Sequence, residues 1–243
     1  MREQSAHIHE ARPAERRLAV SVRGAPGAHL FVRAGGQGPR EHIPALVVCP
    51  GFIQNRRAFE LPSRSLLDHL VGAGFDVYAL EFAKHERHRH EGLSHYADRV
   101  APLVLDVVRS RHHSVAWVGH SMGGLVGAAL PPHETSRLSA LVTIGSPLKP
   151  GIGLKQTRAL EVAIATAGRR FVRRGTSFRG AQLATLFRLG AIAFDHPRAR
   201  FPLQVWAPGH LRRDELLWSL SNAFVEDSWA ALADMLDLTH SDG

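Results

Sequence analysis

Val115-Ala-Trp-Val-Gly119-His120-Ser121-Met122-Gly123-Gly124 is the stretch whose reading decides the fold of this chain. Ser114 to Val118 is an apolar run of strand length, and Gly123 to Leu130 reads as a short helix stopped by Pro131-Pro132. Between them a serine sits in a G-x-S-x-G pattern. This is the pattern of a nucleophile elbow, in which the serine occupies a strained strand-to-helix turn and small neighbours let the chain reverse without clashes. The turn lifts Oγ above the strand end, and the N-terminus of the next helix favours developing negative charge. Ser121 is therefore the candidate nucleophile. Acyl transfer also needs two backbone N–H donors aimed at the oxyanion of the tetrahedral intermediate. Met122, directly after the serine, is one candidate. The other is expected in a loop after an earlier strand, where Phe52 follows Pro50-Gly51. The same Pro-Gly pair would also make an ordinary strand-ending turn.

Outward from this stretch, strands alternate with helices. Leu18 to Arg23 and His29 to Arg33 read as short strands around the turn-forming Gly24-Ala-Pro-Gly27. Ala45-Leu-Val-Val-Cys49 is a continuous apolar run of the kind buried on both faces. Ser63 to Ala73 has Leu66, Leu67 and Leu70 on one side and glycines at its end, so it reads as a helix. Phe75 to Leu80 is a strand, Tyr96 to Arg109 a helix with Val100, Leu103, Val104, Val107 and Val108 at helical spacing, and Leu138 to Ile144 a further strand. The order predicts an α/β fold with a mainly parallel sheet and helices on both faces.

After Pro150 the pattern becomes helical. Leu160, Ile164, Ala167 and Phe171 form one stripe, and Leu183, Leu186, Phe187 and Leu189 another. Residues 214–236 read as two helices, with Asp227 or Ser228 as an N-cap between them. Phe201 to Trp206 is the one strand candidate here, and Pro202 demotes it. The expected division is a core at 18–150 and a mostly helical, cap-like segment at 151–243.

Three segments carry a resemblance: Pro50-Gly-Phe-Ile-Gln-Asn-Arg-Arg-Ala-Phe-Glu60, Gly119 to Gly124 and Ile144-Gly-Ser-Pro147. At these the chain resembles the α/β-hydrolase superfamily, and most of all its bacterial serine esterase/lipase and lysophospholipase-like members with G-F-x-x-N-R-x-x-F and G-H-S-M-G-G. The resemblance implies a serine hydrolase acting on carboxylic esters through an acyl-enzyme, with no cofactor and a small-molecule ester as partner. The leucine, isoleucine and phenylalanine of the cap favour a lipophilic ester. Two departures stand out. Pro50 replaces the histidine that many members carry before the oxyanion-loop glycine. Glu81-Phe-Ala-Lys-His-Glu-Arg-His-Arg-His90 follows the strand that in relatives leads into R-G-x-G.

A serine hydroxyl needs a general base and an acid that orients it, and in this fold they follow in the order Ser, Asp/Glu, His. In relatives, text like Leu236 to Gly243 leads into the strand bearing the acid, whereas this sequence stops at Gly243. The leading expectation remains a serine esterase, but one that is C-terminally truncated, with its acid and histidine not encoded in this chain. The second function class is then a catalytically inactive remnant with at most a binding role. A rival placement makes Asp214 the acid and Leu236 to Thr239 a terminal strand carrying His240 as base. His210 and His196 are weaker candidates.

Composition bounds the alternatives. The 243 residues, 44% hydrophobic and 21% charged, suit one globular domain or a core plus a lobe. A single cysteine, Cys49, excludes an internal disulfide and reads as core. The net charge of +8 could attract nucleic acid, but the arginines are scattered in pairs without a recognition motif, so none is expected. His85, His88 and His90 miss the H-E-x-x-H zinc spacing, and no metal site is expected. The Arg-rich helix at 155–174 reads as a cap helix with a solvated face rather than a lipid-binding one. With no signal-peptide core and no apolar stretch of about 18 residues, a cytoplasmic protein without membrane insertion is expected.

Overall fold

The computed structural model describes residues 15–22, 25–35, 38–83, 92–148, 177–194 and 209–240. Its centre is the run read above as a doubly buried strand. β3 (Ala45–Cys49), preceded by β1 (Glu15–Val22) and β2 (Ala25–Arg33), has all five residues buried. It lies parallel between β4 (Asp76–Phe82) and β5 (Val115–His120), and β5 pairs in parallel with β6 (Ala140–Ile144). The order is β1-β2-β4-β3-β5-β6, and the antiparallel β1–β2 hairpin joins β4 through β2. The sheet is thus mixed but mostly parallel in its core.

Strand alternation divides the core into two layers. Val47, Tyr78, Leu80 and Trp117 point to one face, and Leu46, Val48, Val77, Ala79 and Val118 to the other. On the second face lies α1 (Leu66–Gly72), which buries Leu67 and Val71; Ser65 Oγ caps it by accepting Asp68 N–H at 3.0 Å. The first face is covered by a helix longer than the sequence pattern suggests. It begins as α2 (Leu93–His95), passes through one π-helical turn at Tyr96–Val100 and continues as α3 (Ala101–Arg109). Val100, Val104, Leu105 and Val108 form its buried stripe. Next come α4 (Met122–Ala128) and the short α5 (Pro132–Thr135).

In the later segment, β7 (Ser177–Phe178) precedes α6 (Gly180–Phe194), and α7 (Arg213–Asn222) packs against α6 through Phe187, Ala191, Leu216 and Leu220. β8 (Asp227–Ser228) pairs with β7, and α8 (Trp229–His240) follows; Ser228 Oγ accepts Ala230 N–H at 3.1 Å, the capping role expected of this position. Ala231 of α8 belongs to the main core, and Met235 packs against it. Leu236 to Thr239 are therefore helical rather than a terminal strand. The expected helix at 155–174 and the strand candidate Phe201 to Trp206 lie outside the described residues.

β6 differs from the other central strands. Leu141, Val142 and Ile144 are 37%, 45% and 40% exposed, and among the described residues β6 pairs only with β5.

Candidate active site

Ser121 lies between β5 and α4 with φ 50° and ψ −116°, a conformation that only a sharp reversal imposes on a non-glycine residue. Such a backbone costs on the order of 1–3 kcal/mol and persists only where its surroundings hold it. Ser121 N–H donates to the Ile144 carbonyl at 2.9 Å, and the Ser121 carbonyl accepts Gly124 N–H at 3.0 Å. The flanking glycines are dictated by space. A Cβ on Gly119 would lie 2.3 Å from the Gly123 carbonyl carbon, and one on Gly123 would lie 2.4 Å from the Cys49 carbonyl oxygen. Trp117 Nε1–H donates to the Gly123 carbonyl at 2.9 Å and locks the first turn of α4. Met122 opens that helix, so its N–H has no acceptor within it.

The Pro50-Gly51-Phe52 loop abuts the elbow: a Cβ on Gly51 would stand 3.1 Å from Ser121 Cβ. Gln54 N–H donates to the Gly51 carbonyl at 3.1 Å, closing a four-residue turn with Phe52 and Ile53 at its middle. Because a trans peptide sets N–H opposite C=O, the Phe52 N–H points away from the side on which the turn closes. Ile53 has φ 54°, in the left-handed region where a turn ordinarily carries glycine or asparagine.

Gln54 joins loop to elbow. Its Oε1 accepts Gly51 N–H at 3.2 Å and lies 2.9 Å from His120 Nδ1. Since a backbone N–H already fixes this atom as an acceptor, Nδ1 of His120 must carry the proton and Nε2 is left as the basic nitrogen. Burial lowers the His120 pKa, so the ring is neutral at neutral pH. Its ring meets Phe59 edge-on at 6.3 Å and lines a cavity of about 540 Å³ with His69, Leu66 and Ile144. A larger cavity, about 740 Å³, lies at the opposite ends of the strands, against Asp76, Tyr78 and His112, away from the elbow.

The other side of the loop is held by the segment before α8. Ile53 N–H donates to Asp227 Oδ2 at 2.8 Å, Val225 N–H donates to the Ile53 carbonyl at 2.8 Å, and Asn55 N–H donates to the Ala223 carbonyl at 2.9 Å. Asp227 Oδ1 accepts Ser228 N–H at 2.8 Å and the Tyr96 hydroxyl at 3.4 Å. Asp234 Oδ2 accepts Leu93 N–H at 2.7 Å and anchors α8 to the start of α2.

The structure brings Phe52, Ser121 and Met122 together and does not support the rival acid and base. Asp214 is exposed in the first turn of α7 and pairs with Arg212 at 2.8 Å, because an acidic side chain suits a helix N-terminus. His240 ends a helix, and His210 is exposed. Among the described residues no histidine hydrogen-bonds Ser121 Oγ. Burial pushes the Cys49 thiol up, with the nearby Asp227 charge adding to the rise, so Cys49 is a core residue and not a thiolate. His85, His88, His90 and His196 lie outside the described residues. The loop's supports, Gln54 and Asp227, were missed as site residues; Gln54 lies inside the loop text, while Asp227 carried only a helix-cap signal.

With an elbow serine after the fifth strand and a turn after the third beside it, comparison with known proteins becomes informative. A family model described as Alpha/beta hydrolase family matches residues 46–240. The chain belongs to the α/β-hydrolase family. Among solved structures, a carboxylesterase structure from the thaumarchaeon Nitrososphaera gargenis aligns at 14% identity with a TM-score of 0.54, over 94% of this chain and 73% of the other. Epoxide hydrolase A from Mycobacterium thermoresistibile aligns at 16% identity and TM-score 0.50, over 93% and 76%. An esterase from Thermogutta terrifontis aligns at 16% and 0.47, over 94% and 74%. At these identities the likeness is one of α/β-hydrolase fold. No curated protein matches. Among the described residues no helix is long and apolar enough to cross a membrane.

Proposed function

We propose that this α/β-hydrolase acts on carboxylic esters, with Ser121 as nucleophile and the Phe52 and Met122 amides as oxyanion donors. The observation that carries the reading is the positive-φ serine at the strand-to-helix turn, with the Gly51 loop packed against its Cβ. Ser121 Oγ attacks the ester carbonyl carbon while a base takes its proton. The carbonyl electrons move to oxygen, which the two N–H groups stabilise. The intermediate collapses, the alcohol leaves with a proton, and an acyl-Ser121 remains. Water then attacks that ester, releases the carboxylic acid and returns the proton to Oγ. The chemistry calls on no cofactor. A small, lipophilic ester is the substrate class favoured by the leucine, isoleucine and phenylalanine content of the segment after Pro150.

A second reading, a binding module without turnover, is favoured by one observation: no described histidine bonds to Ser121 Oγ. Active-site labelling separates the two. A fluorophosphonate ester should phosphonylate Ser121 stoichiometrically, with the adduct located by peptide mass spectrometry and absent from S121A. A folded, monodisperse protein that resists labelling would establish the binding reading instead.

A further inference from the structure

We propose that Asp227 is a positioning residue for the oxyanion loop, holding the Phe52–Ile53 peptide in the middle of the Gly51–Gln54 turn and so bracing the preceding peptide, which carries Phe52 N–H. The proposal rests on the ester-hydrolase reading of Phe52 and Ser121, but its observations are separate. Isoleucine is β-branched and disfavours the left-handed backbone that residue 53 adopts. Left to itself, the turn would relax toward a right-handed conformation. Two hydrogen bonds oppose this, one at each end of residue 53: its N–H to Asp227 Oδ2 at 2.8 Å, and its carbonyl from Val225 N–H at 2.8 Å. The first has a carboxylate acceptor and is the stronger kind.

The carboxylate is itself fixed. Ser228 N–H holds Oδ1 at 2.8 Å, and the Tyr96 hydroxyl approaches the same oxygen at 3.4 Å. The Tyr96 ring stacks on Phe82, with centroids 4.1 Å apart and planes 21° off parallel, at the start of the π-helical turn. Asp227 thus ties the loop to the helix layer from 174 positions along the chain. Gln54 and Asp227 supply the support on the two sides of this loop.

The test measures the second-order rate of fluorophosphonate labelling at Ser121 and hydrogen exchange at the Ile53 amide, in wild type, D227A, D227N, I53G and D227A/I53G. A loop displaced by about 1 Å should label about a hundredfold more slowly in D227A. D227N keeps one acceptor oxygen and should recover to within about tenfold of wild type. Exchange at Ile53 should quicken at least about tenfold in D227A. Glycine tolerates the left-handed turn, so the D227A penalty should shrink several-fold in the I53G background. Wild-type labelling in D227A, or an equal penalty with and without I53G, would overturn the proposal. If wild type itself does not label, the ester-hydrolase reading is what fails. Exchange at Ile53 then decides whether Asp227 holds the turn: faster exchange in D227A supports it and unchanged exchange overturns it.

Discussion

Two non-glycine residues beside the candidate site take left-handed φ values, Ser121 at 50° and Ile53 at 54°, and they are held by different means. The elbow is held mostly from nearby in sequence: Gly119 and Gly123 leave room for the reversal, and Gly124 N–H of α4 donates to the Ser121 carbonyl, while the Ile144 carbonyl, from further away, accepts Ser121 N–H. The Ile53 turn has no glycine at the strained position and leans on Val225 and Asp227, from a different part of the chain. The difference separates rigidity that a motif encodes from rigidity that tertiary structure must supply. A substitution in the elbow should damage fold and chemistry together, whereas one in the loop should damage chemistry with less effect on the fold.

The largest effect is expected at the elbow. In G123A the added methyl would lie 2.4 Å from the Cys49 carbonyl oxygen and 2.7 Å from that of Pro50, so β3 and α4 cannot both keep their places. Overpacking against backbone should cost about 3 kcal/mol. Urea unfolding should show a lowered midpoint, and Ser121 labelling should be lost. An unshifted midpoint would mean that the elbow is less tightly built than its contacts indicate.

Q54A probes the seam between the two regions. It removes the acceptor shared by Gly51 N–H and His120 Nδ1–H while leaving the elbow glycines in place. The cost should be about 1 kcal/mol of stability, with labelling slowed about tenfold. If labelling falls as far as in G123A, loop and elbow form one unit and the contrast between them dissolves.

What the sequence made legible divides along the same line. Ala45 to Cys49 and Gly119 to Gly123 were read correctly because burial on both faces and a tight reversal leave local marks, an unbroken apolar run and paired small residues. Ile53 was illegible because its residue type argues against the conformation it takes. Asp227 left only a capping signal, and Ser228 performs the capping. Leu236-Asp-Leu-Thr239 alternates apolar and polar residues, which mimics a strand; the packing of Ala231 and Met235 on the core settles it as the end of α8. The partnership of Gln54 with His120 depends on β3 and β5 being adjacent, which pattern alone does not specify.

His120 offers a subtler probe, through pH. Burial lowers its pKa below the ordinary 6.5, so the unfolded state binds the proton more readily than the folded one. Its contribution to stability is therefore complete above pH 6.5 and is lost as pH falls from there through the lowered folded value. Glutamine at this position can still donate to Gln54 Oε1 but cannot become cationic. Urea midpoints at pH 7.5 and 5.5 should fall further in wild type than in H120Q. Equal slopes would show that the ring is solvated when protonated and that the seam opens easily.

The smallest effect on folding should come from the third region touching Ser121, the β6 edge. Ile144 contributes a backbone carbonyl to the elbow, yet its side chain and those of Leu141 and Val142 are substantially exposed. V142K places a charge on the most exposed of the three, on a strand that among the described residues pairs on one side only, and such a rim invites pairing with another chain. Stability should change by no more than about 0.5 kcal/mol, as for surface substitutions generally. Sedimentation at rising concentration should show less association than in wild type, with the labelling rate unchanged, because the Ser121 N–H bond to Ile144 is made by backbone. A fall in labelling would mean that the elbow depends on the packing of β6 as well as on its carbonyl, and the left-handed serine would then share the long-range dependence of Ile53.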